Sequence, residues 1–290
     1  MKPIDTDPKR LSAEVRGALC NEIADALQAL WQRRRPSDQA LHQVRKDLKR
    51  ARAALRLLRE AVGEAAYTHE NLELRDAARR LARVRDATVA LEIVRELLDS
   101  ESKPARRAKL IELRRELNAE RLSAREQLLR GHKLAGIEYA LQDAGQRAEY
   151  WRFPLNDAPV LRVGFERVYR KGRKALKKAR AEPSAESLHE SRKQVKYLQQ
   201  ALAMVVDGEA HGLKKLARRA EAVADRLGDD HDLAGLEARL AALPALSKPQ
   251  RKLVARIEAR RARLQKKALR QARRLYRKKP TAFLEQVLPG

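Results

Sequence analysis

The stretch LHQVRKDLKRARAALRLLRE, Leu41–Glu60, carries two interleaved patterns. Leu41, Val44, Leu48, Ala51, Leu55 and Leu58, continued by Val62, recur at spacings of three and four, the apolar stripe of an amphipathic helix. His42, Arg45, Lys49, Arg52 and Arg56 repeat at the same spacings beside it, and Lys46 and Arg50 widen the band. Like charges three or four residues apart on a helix repel, and Asp47 is the one acid between His42 and Arg59. A helix holds such a band at a cost that an anionic ligand would relieve.

A second stretch, LHESRKQVKYLQQALAMV, begins at Leu188. A shift of 147 residues lays His42 on His189, Arg45 on Arg192, Lys46 on Lys193, Lys49 on Lys196 and Arg50 on Tyr197. The apolar stripe moves with the charges: Leu41, Leu48, Ala51 and Leu55 fall on Leu188, Val195, Leu198 and Leu202. Pro36-Ser37-Asp38 precedes the first helix as a cap, and Pro183-Ser184 precedes the second. Downstream, ARVRDATV and GDDHDLAG occupy matching places, with Asp86 and Asp232 separated by 146 residues. Charge face, apolar face and position are kept together, which indicates an internal duplication.

Helical periodicity runs through the remainder. Leu11, Val15, Leu19, Ile23, Leu27 and Leu30 predict a first helix. Further helices are expected at roughly 66–83, 86–98, 105–129 and 132–150, punctuated by Pro104 and Gly131. After RFPLNDAPVLR (152–162), the connection between the halves, the pattern resumes at roughly 164–181, 185–206, 210–227, 231–243 and 249–278. No alternating strand pattern of useful length occurs, and aromatics at 4% argue against a large β-sandwich or barrel. The fold class is all-α.

The 65 Lys and Arg against 39 Asp and Glu give a formal charge of +26, which opposes compaction and points to a polyanionic partner: nucleic acid, inorganic polyphosphate or an anionic membrane surface. The excess is uneven, with 31 basic and 24 acidic residues in 1–150 but 34 and 15 in 151–290. Cys20 is the single cysteine, so a disulfide framework and a cysteine-built zinc site are excluded, and it is expected to pack as a small apolar residue. No segment has signal-peptide character or approaches 18 uncharged apolar residues, so no membrane insertion and a cytoplasmic location are expected.

Two more basic helices follow. RVGFERVYRKGRKALKKAR (Arg162–Arg180) places Arg170, Arg173 and Lys177 on one face, and Arg251–Lys279 holds fourteen Lys/Arg with Glu258 as the one acid. The plain reading of each band is a solvated face, and of each histidine a structural hydrogen bond. Against it, guanidinium forks and mobile ammonium groups together suit an irregular phosphate polymer. The histidines sit near helix starts, where free N–H groups and the dipole favour anions. Phosphohistidine chemistry lacks the neighbouring acid or nucleotide loop it would want.

Taken together, LHQVRKDLKRARAALRLL and LHESRKQVKYLQQAL, followed by LARVRDATV and DRLGDDHDLAGL, resemble the two half-signatures of the conserved histidine α-helical domain (CHAD) family, over about residues 11–280. The resemblance implies two pseudo-symmetric antiparallel helical bundles, 1–151 and 152–290, around a basic central channel. It further implies binding of inorganic polyphosphate and association with polyphosphate granules and granule proteins. Carried over by position, His42, Arg45, Lys46, Lys49, Arg50 and Arg52, with Arg56 extending the same stripe, are the phosphate contacts of the first half. His189, Arg192, Lys193 and Lys196 are those of the second, and Arg170, Arg173 and Lys177 resemble an additional basic helix. Asp86 and Asp232 match loop positions and are expected to orient neighbouring basic side chains. No catalytic residue, cofactor or metal is implied.

The residues themselves point the same way. The chain has no acidic E-x-E-x-K pattern, no Walker-type phosphate loop and no second His/Asp set around Asp229–Asp232, so phosphoanhydride hydrolysis is disfavoured. Non-sequence-specific nucleic-acid binding is the competing reading. It is weakened because the basic helices hold few aromatics, Tyr169 and Tyr197 among them, a poor stacking platform.

Overall fold

A computed structural model describes residues 10–33, 35–130, 132–154, 158–205, 211–241 and 247–288. Gly131, part of the 152–162 connection and the expected helix ends at 206–210 and 242–243 lie outside the described residues. The helices are α1 (Leu11–Trp31), α2 (Asp38–Leu57), α3 (Arg59–Val62), α4 (Glu64–Arg80), α5 (Ala82–Asp99), α6 (Pro104–Leu129) and α7 (Lys133–Glu149). They continue with α8 (Ala158–Ala181), α9 (Ala185–Val205), α10 (His211–Ala241), α11 (Lys248–Leu275) and α12 (Pro280–Val287). Among the described residues there is no strand, as the periodicity predicts.

The duplication is visible in the helix starts: α1, α2, α4 and α7 begin at 11, 38, 64 and 133, and α8, α9, α10 and α12 begin at 158, 185, 211 and 280, each 147 later. Local chemistry sets several of these starts. The Ser37 hydroxyl accepts from the Ala40 N–H at 3.1 Å, capping α2. At α9, Ser184 Oγ accepts from the Ser187 N–H at 3.1 Å, and Ser187 Oγ accepts from the Ser184 N–H at 2.9 Å. Ser247 and Gln250 close a capping box on α11. Gly63, at φ 83°, supplies the left-handed turn between α3 and α4.

Helices α1 and α2 pack as one hairpin and α8 and α9 as its repeat. The apolar stripe of α2 is fully enclosed, with Leu41, Val44, Leu48, Ala51 and Leu55 at most 2% exposed. They join one large hydrophobic cluster that includes Leu19, Ile137, Phe165, Leu198, Val223 and Phe283, so it draws on both halves. A second cluster gathers Val94 of α5, Leu117 of α6, Leu236 of α10 and Ile257 of α11. Helix α11 spans both, with Leu253 and Ile257 in the smaller cluster and Ala268, Ala272 and Leu275 in the larger. Cys20 packs against the larger cluster, and burial raises its thiol pKa.

Two local expectations are corrected. Asp86 and Asp232 are helical rather than in loops, Asp86 in α5 and Asp232 within the continuous α10. Gly228-Asp229-Asp230 reads as a break in sequence, yet buried Asp230 accepts from Arg261 Nε at 3.1 Å and Gln265 Nε2 at 2.9 Å, both on α11. These tertiary bonds hold the helix through the glycine, whose cost in a helix interior is about 1 kcal/mol.

Glu101, between α5 and α6, is a second anchor. Its enclosed carboxylate accepts from the Lys103 N–H at 2.9 Å, Arg106 Nε at 2.8 Å, Arg106 Nη2 at 2.9 Å and Arg256 Nη1 of α11 at 3.0 Å. The Arg106 bonds first, then that of Lys103, hold its pKa down to about 2. The folded value is depressed, so this stability is present above pH 4.5 and is lost as pH falls toward 2. Glu101→Gln is expected to cost about 2 kcal/mol at pH 7 after allowing for solvent at Arg256. Chemical denaturation should show the gap between the two proteins closing by pH 2–3; a pH-independent gap would contradict this role.

Candidate functional site

The basic flanks of α2 and α9 meet where those helices touch. Arg45 donates from Nη1 to the Ala78 carbonyl, while its Nε is buried with no partner among the described residues. Its repeat mate Arg192 likewise holds a buried, unpartnered Nε. Buried donors of this kind cost free energy unless a ligand completes them. Lys196 reaches Asp225 at 3.4 Å. Arg85 of α5 makes two bonds of 3.2 Å to Asp232 of α10 and one of 3.2 Å to Asp86, linking the repeats at this point. Asp86 and Asp232 thus share one cation, Arg85, from two helices.

Water reaches Lys49, and cations of α2, α5 and α9 stand around it. Desolvation first, then Arg45, Arg85, Arg192 and Lys196, push its pKa down to about 7. Desolvation is also the main reason that His42, His189 and His231 are lowered; the next contributor is Lys46 for His42 and Arg192 for the other two. His189 and His231 stand with ring centroids 5.0 Å apart beside a cavity of about 550 Å³ that Arg85, Asp232 and Arg239 also line.

Farther along α2, Arg52 Nε donates to Asn71 Oδ1 at 3.1 Å, and burial, then Arg56, lowers its pKa to about 10. The Arg56 guanidinium lies 3.7 Å from the Tyr197 ring centroid, a cation–π contact between the repeats. Arg167 of α8 donates to the Arg56 carbonyl at 2.9 Å, and desolvation first, then Arg59, Arg167 and Arg56, lower the pKa of Lys171.

Not every basic residue expected at the site joins this group. Arg50 is bonded to Glu22 at 2.7 Å and to Asp47, within the α1–α2 interface. Lys193 is paired with Glu190, and Lys46 is exposed beside His42. On α8, Arg170 is bonded to Glu166 at 2.7 Å and Arg173 lies by Tyr169, about 100° or more around the helix from Lys171. Lys177 shares that outer flank and is exposed. Sequence reasoning missed Arg85 and His231. A shift of 146 aligns them with each other, and that was the available signal.

Among the described residues, no group of three His, Cys, Asp or Glu side chains is placed to hold a metal ion. Among the same residues, no helix is long and apolar enough to cross a membrane. No curated protein sequence matches the chain. Solved structures do: a structure described as PptA from Streptomyces chartreusis superposes with a TM-score of 0.65 at 17% identity, covering 94% of this chain and 100% of that one. The CHAD domain from the plant Ricinus communis superposes at 0.58 with 17% identity, covering 96% of this chain and 93% of the other. These likenesses show the fold. A family model, the CHAD domain, matches residues 18–241. That span takes in both histidine helices and both aspartates, and the chain belongs to the CHAD-domain family.

Proposed function

We propose that this protein binds inorganic polyphosphate along the basic trough formed by α2 and α9. Lys49 carries the reading: desolvation first, then the cations Arg45, Arg85, Arg192 and Lys196 gathered around it, hold its pKa near 7, and such a gathering is suited to an added negative charge. Arg45, Lys49, Arg192 and Lys196 are the central contacts, with His42, His189, Arg52, Arg56 and Arg85 extending them. Lys46 and Lys193 lie at the rim. Arg50 is left to the α1–α2 interface, and Arg170, Arg173 and Lys177 to the outer flank of α8.

Cations three and four apart on a helix stand roughly 5–6 Å apart, close enough to engage several phosphoryl groups at once. Arginine forks fix oxygens while lysines follow a sliding chain. The function is binding rather than turnover. A polymer long enough to hold many copies would place the protein on polyphosphate granules in the cytoplasm.

Binding should take up protons. A polyanion raises the Lys49 pKa from about 7 toward its usual 10.5, so at pH 7.5 roughly half a proton or more enters with each chain. Calorimetric titration of long-chain polyphosphate in two buffers of different ionisation enthalpy measures this directly. Affinity should rise from pH 8.5 to 6.5, and Lys49→Gln should remove most of the uptake. Absence of binding at near-physiological salt would sink the proposal.

A further inference from the structure

A second cationic cavity lies outside the trough. It encloses about 610 Å³ between the N-terminal half of α10 and the C-terminal half of α11, within the size range of small-ligand sites. Lys214 and Arg218 form one i,i+4 pair on its wall, and Lys215 and Arg219 form another. Arg274 faces them from α11, Ala222 leaves the space open, and no acid lines it among the described residues. Gln271 also lines the cavity, and its side-chain oxygen is buried with no hydrogen-bond partner. The two ends of a side-chain amide exchange by a simple flip, so the same group can present its N–H donors.

The internal repeat shows that the fold does not require these charges. Helices α4 and α10 start 147 residues apart, at 64 and 211. In that register the places of Lys214, Lys215, Arg218 and Arg219 hold Tyr67, Thr68, Asn71 and Leu72 in the first half. The place of Ala222 holds Arg75, which bonds to Asp76 at 2.9 Å. One scaffold thus carries neutral side chains at four positions in one copy and four cations around an opening in the other.

We infer that this cavity is a separate site for a compact triphosphate chain, inorganic or esterified. Three linked phosphoryl groups concentrate enough charge to engage several of Lys215, Arg218, Arg219 and Arg274 at once, and the Gln271 amide adds a neutral donor at the wall. A single orthophosphate meets too few of them. The site stands independently of the trough, and either reading can fail alone.

Calorimetric titration of the full chain with tripolyphosphate at near-physiological salt tests it. In a background where Arg45, Lys49, Arg192 and Lys196 are glutamine, one tripolyphosphate should still bind. Adding Arg218→Gln and Arg274→Gln, both solvent-facing changes, should weaken it at least tenfold. Ala222→Arg in the same background should also weaken it by filling the opening, although it adds a positive charge. Orthophosphate should bind at least a hundredfold more weakly. Adenosine triphosphate binding as well as tripolyphosphate assigns the site to the triphosphate chain in either form; a tenfold loss restricts it to the free inorganic chain. Unchanged affinity after the two arginine substitutions, or a gain from Ala222→Arg, would overturn the proposal.

Discussion

Replacing Arg45, Lys49, Arg192 and Lys196 together by glutamine is expected to lower polyphosphate affinity about a thousandfold while leaving the protein slightly more stable. Each charge-assisted contact to phosphate is worth about 1–1.5 kcal/mol, and four of them amount to roughly three decades in Kd. The stability gain follows from the Lys49 linkage. Its folded pKa, about 7, lies below the usual 10.5, so the folded protein resists the charged form. That penalty is full below pH 7 and fades as pH rises toward 10.5. Because water reaches Lys49, the penalty is discounted to about 1–2 kcal/mol. Melting at pH 6.5 should therefore rise by a few degrees in the variant, with the advantage shrinking by pH 10. A variant that melts lower and binds normally would make these side chains structural.

The largest single-site loss of stability is expected where α8 crosses the end of α2. Gly164 packs so closely that a Cβ there would lie 2.5 Å from the Leu57 carbonyl oxygen and 3.0 Å from Leu57 Cα. Those are backbone atoms, which cannot swing aside as a side chain would. Gly164→Ala should cost about 3 kcal/mol, a drop of roughly 6–12 °C in Tm. Gly17→Ala in α1 is the matched control, since nothing lies within 4 Å of its added methyl. It should be neutral or stabilising by up to about 1 kcal/mol through helix propensity. Equal effects at the two sites would refute the close approach of α8 to α2.

Helices α2 and α9 were legible because two independent signals share one period. In α2 and α9 the apolar stripe, the basic stripe and the serine start all agree, and the spacing of 147 residues recurs at four helix starts. What lay beyond the sequence was partner choice. Arg50 belongs by spacing to the basic band, but Glu22, on another helix, claims it. Arg85 and Asp232 pair across the repeats, a contact between residues 147 apart that no local pattern announces. The apparent break at Gly228 vanished because Asp230 found Arg261 and Gln265 on α11. On α8, Arg167 and Lys171 rather than Arg170 and Arg173 face Arg56, a choice set by which flank of the helix the core leaves toward α2.

Competition at near-physiological salt, with long-chain polyphosphate, single-stranded RNA and duplex DNA supplied at equal charge concentration, bears most directly on the trough. Polyphosphate should displace both nucleic acids from the native protein. The preference should vanish when Arg45, Lys49, Arg192 and Lys196 are glutamine. Equal displacement by all three polymers, unchanged by those substitutions, would contradict selective recognition and leave the +26 charge acting as a general polyanion surface.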